Sequence, residues 1–162
     1  MGDFDRAGPA EAASMIAPCC ASLRWIDQLV QGRPHAALDA IATASDAAIE
    51  QLSWPDVEQA LAAHPRIGDR VPGAERESVW SRQEQSAAAA TAVSTEQALL
   101  AGNVEYEQRF AHVFLICATG KSAEEVLDAL TGRLGNEPEA ERAVVRDELA
   151  QIVRLRLAKT FR

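Results

Sequence analysis

Cysteine is scarce in this chain of 162 residues: Cys19, Cys20 and Cys117 are all there are. An odd number with two of them adjacent offers neither a disulfide framework nor a zinc-ligand spacing, and a reducing cytoplasm suits it best. Positive charge is also short, with 16 Lys and Arg against 24 Asp and Glu, a formal net charge of -8 and a pI near 4.9. Non-specific nucleic-acid binding needs a basic surface, so a nucleic-acid partner is excluded, and an anionic membrane suits the chain no better. No run of alternating β-branched residues is long enough to read as a strand. Repeats, linkers and low-complexity tracts are missing apart from Ala87 to Ala90, which helix propensity explains. The N-terminal MGDFDRAGPAEAASM has no apolar stretch of the kind a secretory signal needs, Arg6 is wrong for myristoylation, and the closing KTFR is no peroxisomal address.

What remains is the composition of an ordinary globular protein, 48% apolar and 25% charged, long enough to bury one core as a single domain over residues 1–162. Helix signals recur at nearly every boundary, so the expected fold is all-α, a compact helical bundle. Ser53 before Trp54, Pro55 and Asp56 reads as an N-cap opening a helix that Pro65 ends near His64, with Val57, Leu61 and His64 on one face. Ser94 with Gln97 reads as a second capping box. Leu99, Asn103, Tyr106, Phe110, Val113 and Cys117 then follow at helical spacing, which predicts a long central helix up to Gly120. Ser122 with Glu125 caps the next helix, Gly135 stops it, and Asn136, Pro138 and Glu139 start the last one, which runs to about Lys159. Short loops predict that these C-terminal helices pack antiparallel. Segments around 10–31 and 35–51 look helical but are broken by Pro18, Gly32 and Pro34, and 71–79 reads as a loop.

Three places carry chemistry. His64 ends a helix on its apolar face just before Pro65, so its imidazole is fixed in direction; it is either a half-buried helix C-terminal histidine or a proton donor and acceptor. Ser81, Glu84 and Gln85 fall at i, i+3 and i+4, where their polar tips converge on one helical turn, although Ser-x-x-Glu is also a plain capping box. In the last helix Val145, Leu149 and Ile152 form an apolar stripe that continues to Arg156, while Arg154 faces solvent. Arg156 is then a structural ion-pair member, a stem lying along the stripe, or a two-point clamp for a carboxylate. His35 and His112 read as surface or boundary residues. With no carboxylate or cysteine at ligand spacing from them, no metal is expected.

The strings HPRIGDR at 64–70, SRQEQS at 81–86, NVEYEQRFAHVFLICATGKSAEEVLDALTGRLGN at 103–136 and IVRLRLAK at 152–159 together resemble the 2-oxo-4-hydroxy-4-carboxy-5-ureidoimidazoline (OHCU) decarboxylases of bacterial type. WIDQLVQGRP at 25–34 resembles that family more loosely. The resemblance implies an all-helical, cofactor-free, cytoplasmic homodimer of urate breakdown that converts OHCU to (S)-allantoin with release of carbon dioxide. It implies that His64 is catalytic and that Ser81, Glu84 and Gln85 hydrogen-bond the ring and ureido groups; the chemistry adds the expectation that Glu84 orients His64. It further implies that Pro65, Ser81, Gln85 and Arg156 line the ligand, and that the backbone of Phe114, Leu115, Ile116, Cys117 and Ala118 forms the wall behind it. The substrate is an anion, which the global negative field repels, so a few local cations must supply the attraction. Two positions depart from the family pattern. Ala111 stands where the family usually has Gly, a methyl near the wall, and His35 stands where it has Phe, the loss of an apolar anchor. The rival reading is a non-catalytic all-α ligand-binding or adaptor module on the same scaffold, from which the pairing of His64 with Glu84 separates it.

Overall fold

Capping by side chains close in sequence sets several of the helix boundaries. In the computed structural model, which describes residues 1–64, 66 and 85–161 with the side chains of 85–93 excepted, eight helices and no strand occur among the described residues. They are α1 (Gly2–Arg6), α2 (Pro9–Ile16), α3 (Leu23–Gln31), α4 (Leu38–Glu50), α5 (Trp54–Leu61), α6 (Gln85–Phe110), α7 (Ala123–Arg133) and α8 (Pro138–Thr160). Two complete capping boxes start α5 and α7: Ser53 with Asp56, and Ser122 with Glu125. In each, the serine hydroxyl accepts the N3 amide while the N3 carboxylate accepts the N-cap amide, so two orphan donors are satisfied at once. Ser22 caps α3 through the Trp25 amide. No helix among the described residues is long and apolar enough to cross a membrane.

The chain divides into two compact units. The first comprises Met1–His64, Leu115–Cys117 and Glu139–Arg162; the second comprises Pro65–Phe114 and Ala118–Pro138. In the first, Trp25, Ile26 and Leu29 of α3 and Ile41, Ala48 and Ile49 of α4 are buried, as periodicity near 3.6 requires. Two buried polar groups satisfy each other, the Trp25 indole Nε1–H donating to Ser45 Oγ at 3.0 Å. The buried row of α8 is Glu141, Val145, Leu149, Val153 and Leu157. It leaves the expected row one residue after Leu149: Ile152 and Arg156 flank the stripe, half-buried, instead of continuing it.

In the second unit α6 and α7 approach closely enough that a Cβ at Gly102 would lie 2.6 Å from Leu130 Cδ2. An alanine there would oblige the Leu130 side chain to shift. Tyr106, fully buried, anchors an aromatic cluster with Phe110 at 4.6 Å and Phe114 at 5.1 Å. The buried Arg133 guanidinium stands 4.6 Å from the Phe114 ring centre, within cation–π range.

Three further sequence expectations fail. Ser94 lies inside α6, which already begins at Gln85, because the alanine run extends the helix N-terminally past the local capping signal. The helix also stops at Phe110, well short of Gly120, because Ala111 adopts φ +60 and its amide closes the last turn on Glu107 O at 2.9 Å. Val113 and Cys117 therefore leave the helical row. His35, expected at the surface or a boundary, is buried. Its amide and that of Ala36 donate to the two Asp5 carboxylate oxygens at 3.0 Å each, and its ring Nε2–H donates to Leu29 O at 2.8 Å. Its ring also stacks on Phe4, 6.1 Å between centres, so an anchor is present where the departure from the family's Phe pointed to a lost one. The loop expected at 71–79 lies outside the described residues.

Candidate active site

His64 follows α5 by one short turn, its amide bonded to Leu61 O at 2.9 Å. The ring Nδ1 lies 3.0 Å from Ala60 O. A carbonyl only accepts, so Nδ1 carries the proton and the neutral ring's lone pair sits on Nε2. Nε2 is buried and has no hydrogen-bond partner among the described residues. Burial pushes the imidazole pKa below its ordinary 6.5; the bond to Ala60 opposes this, and the positive charge of Arg156 adds to it. The imidazole is therefore neutral, with an Nε2 acceptor left unpaired among the described residues, and is set in direction by backbone four residues earlier.

Arg156, half-buried in the row beside the α8 stripe, donates from Nη1 to Cys19 O at 3.1 Å. It has no carboxylate partner among the described residues, which removes the buried-ion-pair reading within them. Arg66, the other described residue of the HPRIGDR string, is different: its Nε and Nη2 lie 2.5 and 2.6 Å from the two oxygens of Glu107. Arg154 is exposed and paired with Asp46, as its outward position predicts. Around Arg156 a cleft of about 530 Å³ is lined by Pro18, Cys19, Ala63, Lys159 and Thr160 among others. Two cations and the residue before His64 thus border one hollow. The buried Cys19 and Cys20 thiols face no base among the described residues, and burial raises both pKa values, that of Cys20 to about 11, so neither is a nucleophile at neutral pH.

The segment that the resemblance assigns to the ligand wall is irregular backbone. Phe114, Leu115, Ile116 and Cys117 are buried and non-helical, whereas Ala118 is exposed. The Phe114 ring turns into the aromatic cluster of its own unit. Leu115, Ile116 and Cys117 fall in the first unit with His64 and Arg156, and the Cys117 amide donates to Glu148 Oε2 of α8 at 2.7 Å. Pro65, Ser81 and Glu84 lie outside the described residues, and Gln85 opens α6 with its side chain outside them. Sequence reading missed the Ala60 carbonyl, Lys159 and Glu148. The last stands four residues before Ile152 and eight before Arg156, in the same half-buried row, which is the one signal that points to it. Among the described residues no group of three His, Cys, Asp or Glu side chains could hold a metal ion.

Comparison with known proteins bears on this geometry. The family model described as OHCU decarboxylase matches residues 5–158. The uric acid degradation bifunctional protein TTL of Arabidopsis thaliana is 37% identical over 88% of this chain, which spans 45% of that protein's length. The 2-oxo-4-hydroxy-4-carboxy-5-ureidoimidazoline decarboxylase of Amia calva is 32% identical over 86% of this chain and 78% of its own. A solved OHCU decarboxylase, crystallised in the presence of (S)-allantoin, superposes with a TM-score of 0.70 at 35% identity, over 90% of this chain and 95% of that one. An (S)-allantoin synthase structure gives a TM-score of 0.68 at 18% identity, covering 98% of this chain and 53% of that one, a likeness of fold alone.

Proposed function

This chain belongs to the OHCU decarboxylase family, and we propose that it converts OHCU to (S)-allantoin and carbon dioxide in urate degradation without a cofactor. The observation that carries the reading is the neutral His64 imidazole, with its open Nε2 acceptor, set near a cation that has no carboxylate partner among the described residues.

The chemistry asks for little more. In OHCU the carbon that bears the carboxylate and a hydroxyl adjoins a ring imine carbon. When the bond to the carboxylate breaks, its electron pair forms a double bond to that neighbour, and the imine π pair moves to the ring nitrogen, which takes a proton. The substrate is its own electron sink, so a proton carrier is sufficient. The resulting enol becomes a carbonyl by losing its hydroxyl proton and gaining one at the neighbouring carbon. His64 Nε2 accepts the first proton and returns it to one face of that carbon, which sets the S configuration. Overall one proton is taken up and one carbon dioxide leaves. Since Nδ1–H is already engaged by Ala60 and Nε2 is the acceptor, Glu84 acts on the substrate. Arg156 clamps the carboxylate, Ser81 and Gln85 bond the ring and ureido groups, and Pro65 with the backbone of Phe114 to Ala118 walls the pocket. The family match runs through both compact units, so we read them as one catalytic domain of a cytoplasmic homodimer.

Circular dichroism of freshly made OHCU tests this. Spontaneous decay yields racemic allantoin, so the protein should accelerate decay and leave one enantiomer; racemic product at the uncatalysed rate would refute the proposal.

A further inference from the structure

We infer that Glu148 is a positioning residue of this site, one that fixes the substrate-facing wall by holding the Cys117 amide. The inference rests on the function proposed above, in which Leu115 to Cys117 form part of that wall.

The buried segment Leu115 to Cys117 belongs to no helix, so its amides lack the i−4 carbonyls that would otherwise satisfy them. The Cys117 N–H is met instead by Glu148 Oε2, at 2.7 Å, from a side chain 31 residues away. A hydrogen bond to a carboxylate is shorter and about twice as strong as one between neutral groups. The peptide unit is planar and trans, so directing the Cys117 N–H at Glu148 directs the Ile116 carbonyl the opposite way. One bond thereby orients both faces of that peptide. OHCU and allantoin carry several N–H donors on ring and ureido groups, for which an aimed carbonyl is the matching acceptor. α8 further supplies Arg156 two turns on, about 12 Å along the axis at 1.5 Å per residue, in the half-buried row that contains Glu148. A single rigid helix thus sets the wall and the carboxylate clamp at a fixed spacing, as near-attack geometry demands.

A carboxylate that merely filled a buried amide's need would affect folding and nothing else. A positioning role moves the kinetics and the stereochemistry. The test compares wild type with Glu148→Gln, which keeps an acceptor oxygen, and Glu148→Leu, which keeps bulk and loses the acceptor. It reads kcat and KM for OHCU, the enantiomeric excess of the allantoin formed, (S)-allantoin binding by calorimetry, and the melting temperature. Glu148→Leu should raise KM and the (S)-allantoin Kd by about tenfold or more and lower the enantiomeric excess, per mole of folded protein, while Glu148→Gln recovers most of the loss. Should Glu148→Leu fail to fold, Glu148→Gln combined with Cys117→Pro, which deletes the amide donor, separates the two roles: once the amide is gone, the Gln change must have no further effect on KM. Wild-type KM, binding and enantiomeric excess in folded Glu148→Leu overturn the inference while leaving the decarboxylase reading intact. A wild-type chain that neither turns over OHCU nor binds (S)-allantoin overturns both.

Discussion

Replacing Ala111 by glycine should stabilise the protein, although a methyl group is lost. Ala111 is the residue just past α6, with φ +60 and its amide on Glu107 O, an arrangement that usually employs glycine. A Cβ in the left-handed region sits too near the following carbonyl oxygen, at a cost of about 1–2 kcal/mol. Glycine removes that cost but frees the unfolded chain, which offsets roughly 0.4–1 kcal/mol. The methyl is exposed, so no burial is lost. The net gain is about 0–1.6 kcal/mol, centred near 0.8, and at roughly 2–4 °C per kcal/mol for a chain of this size the melting temperature should rise by about 2–3 °C. Differential scanning calorimetry at matched concentrations measures it. Gly120→Ala is the converse control: φ is +81 and nothing lies within 4 Å of the added Cβ, so strain alone should lower the melting temperature. A fall in melting temperature for Ala111→Gly alongside a fall for Gly120→Ala would refute the strain account.

His64→Asn should leave the melting curve near that of wild type at neutral pH and reduce turnover by about two orders of magnitude or more, as loss of a general acid–base does; wild-type turnover in this variant would sink the assignment. Because the folded-state pKa of His64 lies below the ordinary 6.5, kcat/KM should be flat above pH 6.5 and fall only beneath it. The unfolded chain's imidazole takes up its proton first on acidification, so the stability held by neutral His64 is full above pH 6.5. It drains as pH falls through the folded value, and His64→Asn should remove that segment from a titration of melting temperature. Arg156→Met should raise KM or cut turnover severely while the fold stays intact, whereas Arg154→Met, which removes only an exposed pair with Asp46, should change neither quantity much. Kinetics that are unaltered in Arg156→Met, or altered only in proportion to lost folded protein, would end its substrate-binding role. Exhaustive chelation should leave activity unchanged; a loss that added metal restores would contradict cofactor-free chemistry.

Features encoded within a few residues were legible in the sequence. Ser53 and Ser122 cap α5 and α7 as read, because a capping box needs only four consecutive positions. The all-α class followed from the same kind of signal. Ser94 misled because an equally local box competed with the alanine run and lost to it. Val113 and Cys117 misled for another reason: their spacing stayed helical across Ala111, and without a glycine nothing marked the left-handed turn. Burial of His35 depends on Asp5, 30 residues away, and the role of Glu148 depends on an amide 31 residues away. Such pairings leave no trace in local spacing. Arg156 was found from periodicity, but in the row beside the stripe, because the buried positions advance by four residues each time, from Leu149 to Val153 to Leu157.

The coupling between Arg156 and His64 gives the proposed reaction a direction. In the free protein the guanidinium's charge disfavours a protonated imidazole, so His64 stands ready as an acceptor. In the proposed reaction a substrate carboxylate clamped by Arg156 offsets that charge, and after carbon dioxide leaves, the enolate formed as Nε2 takes the enol's hydroxyl proton carries the balancing negative charge. Once the neighbouring carbon has taken the proton back the product is neutral, and the penalty that returns leaves His64 as an acceptor for the next turnover. The opposing demands on one histidine, base first and acid second, are thereby met by the substrate's own change of charge. This also fits a chain of net charge -8: the general field does not hold the anion, so in the proposed reaction its binding falls to the two cations at the end of α8 that border the cleft, Arg156 and Lys159.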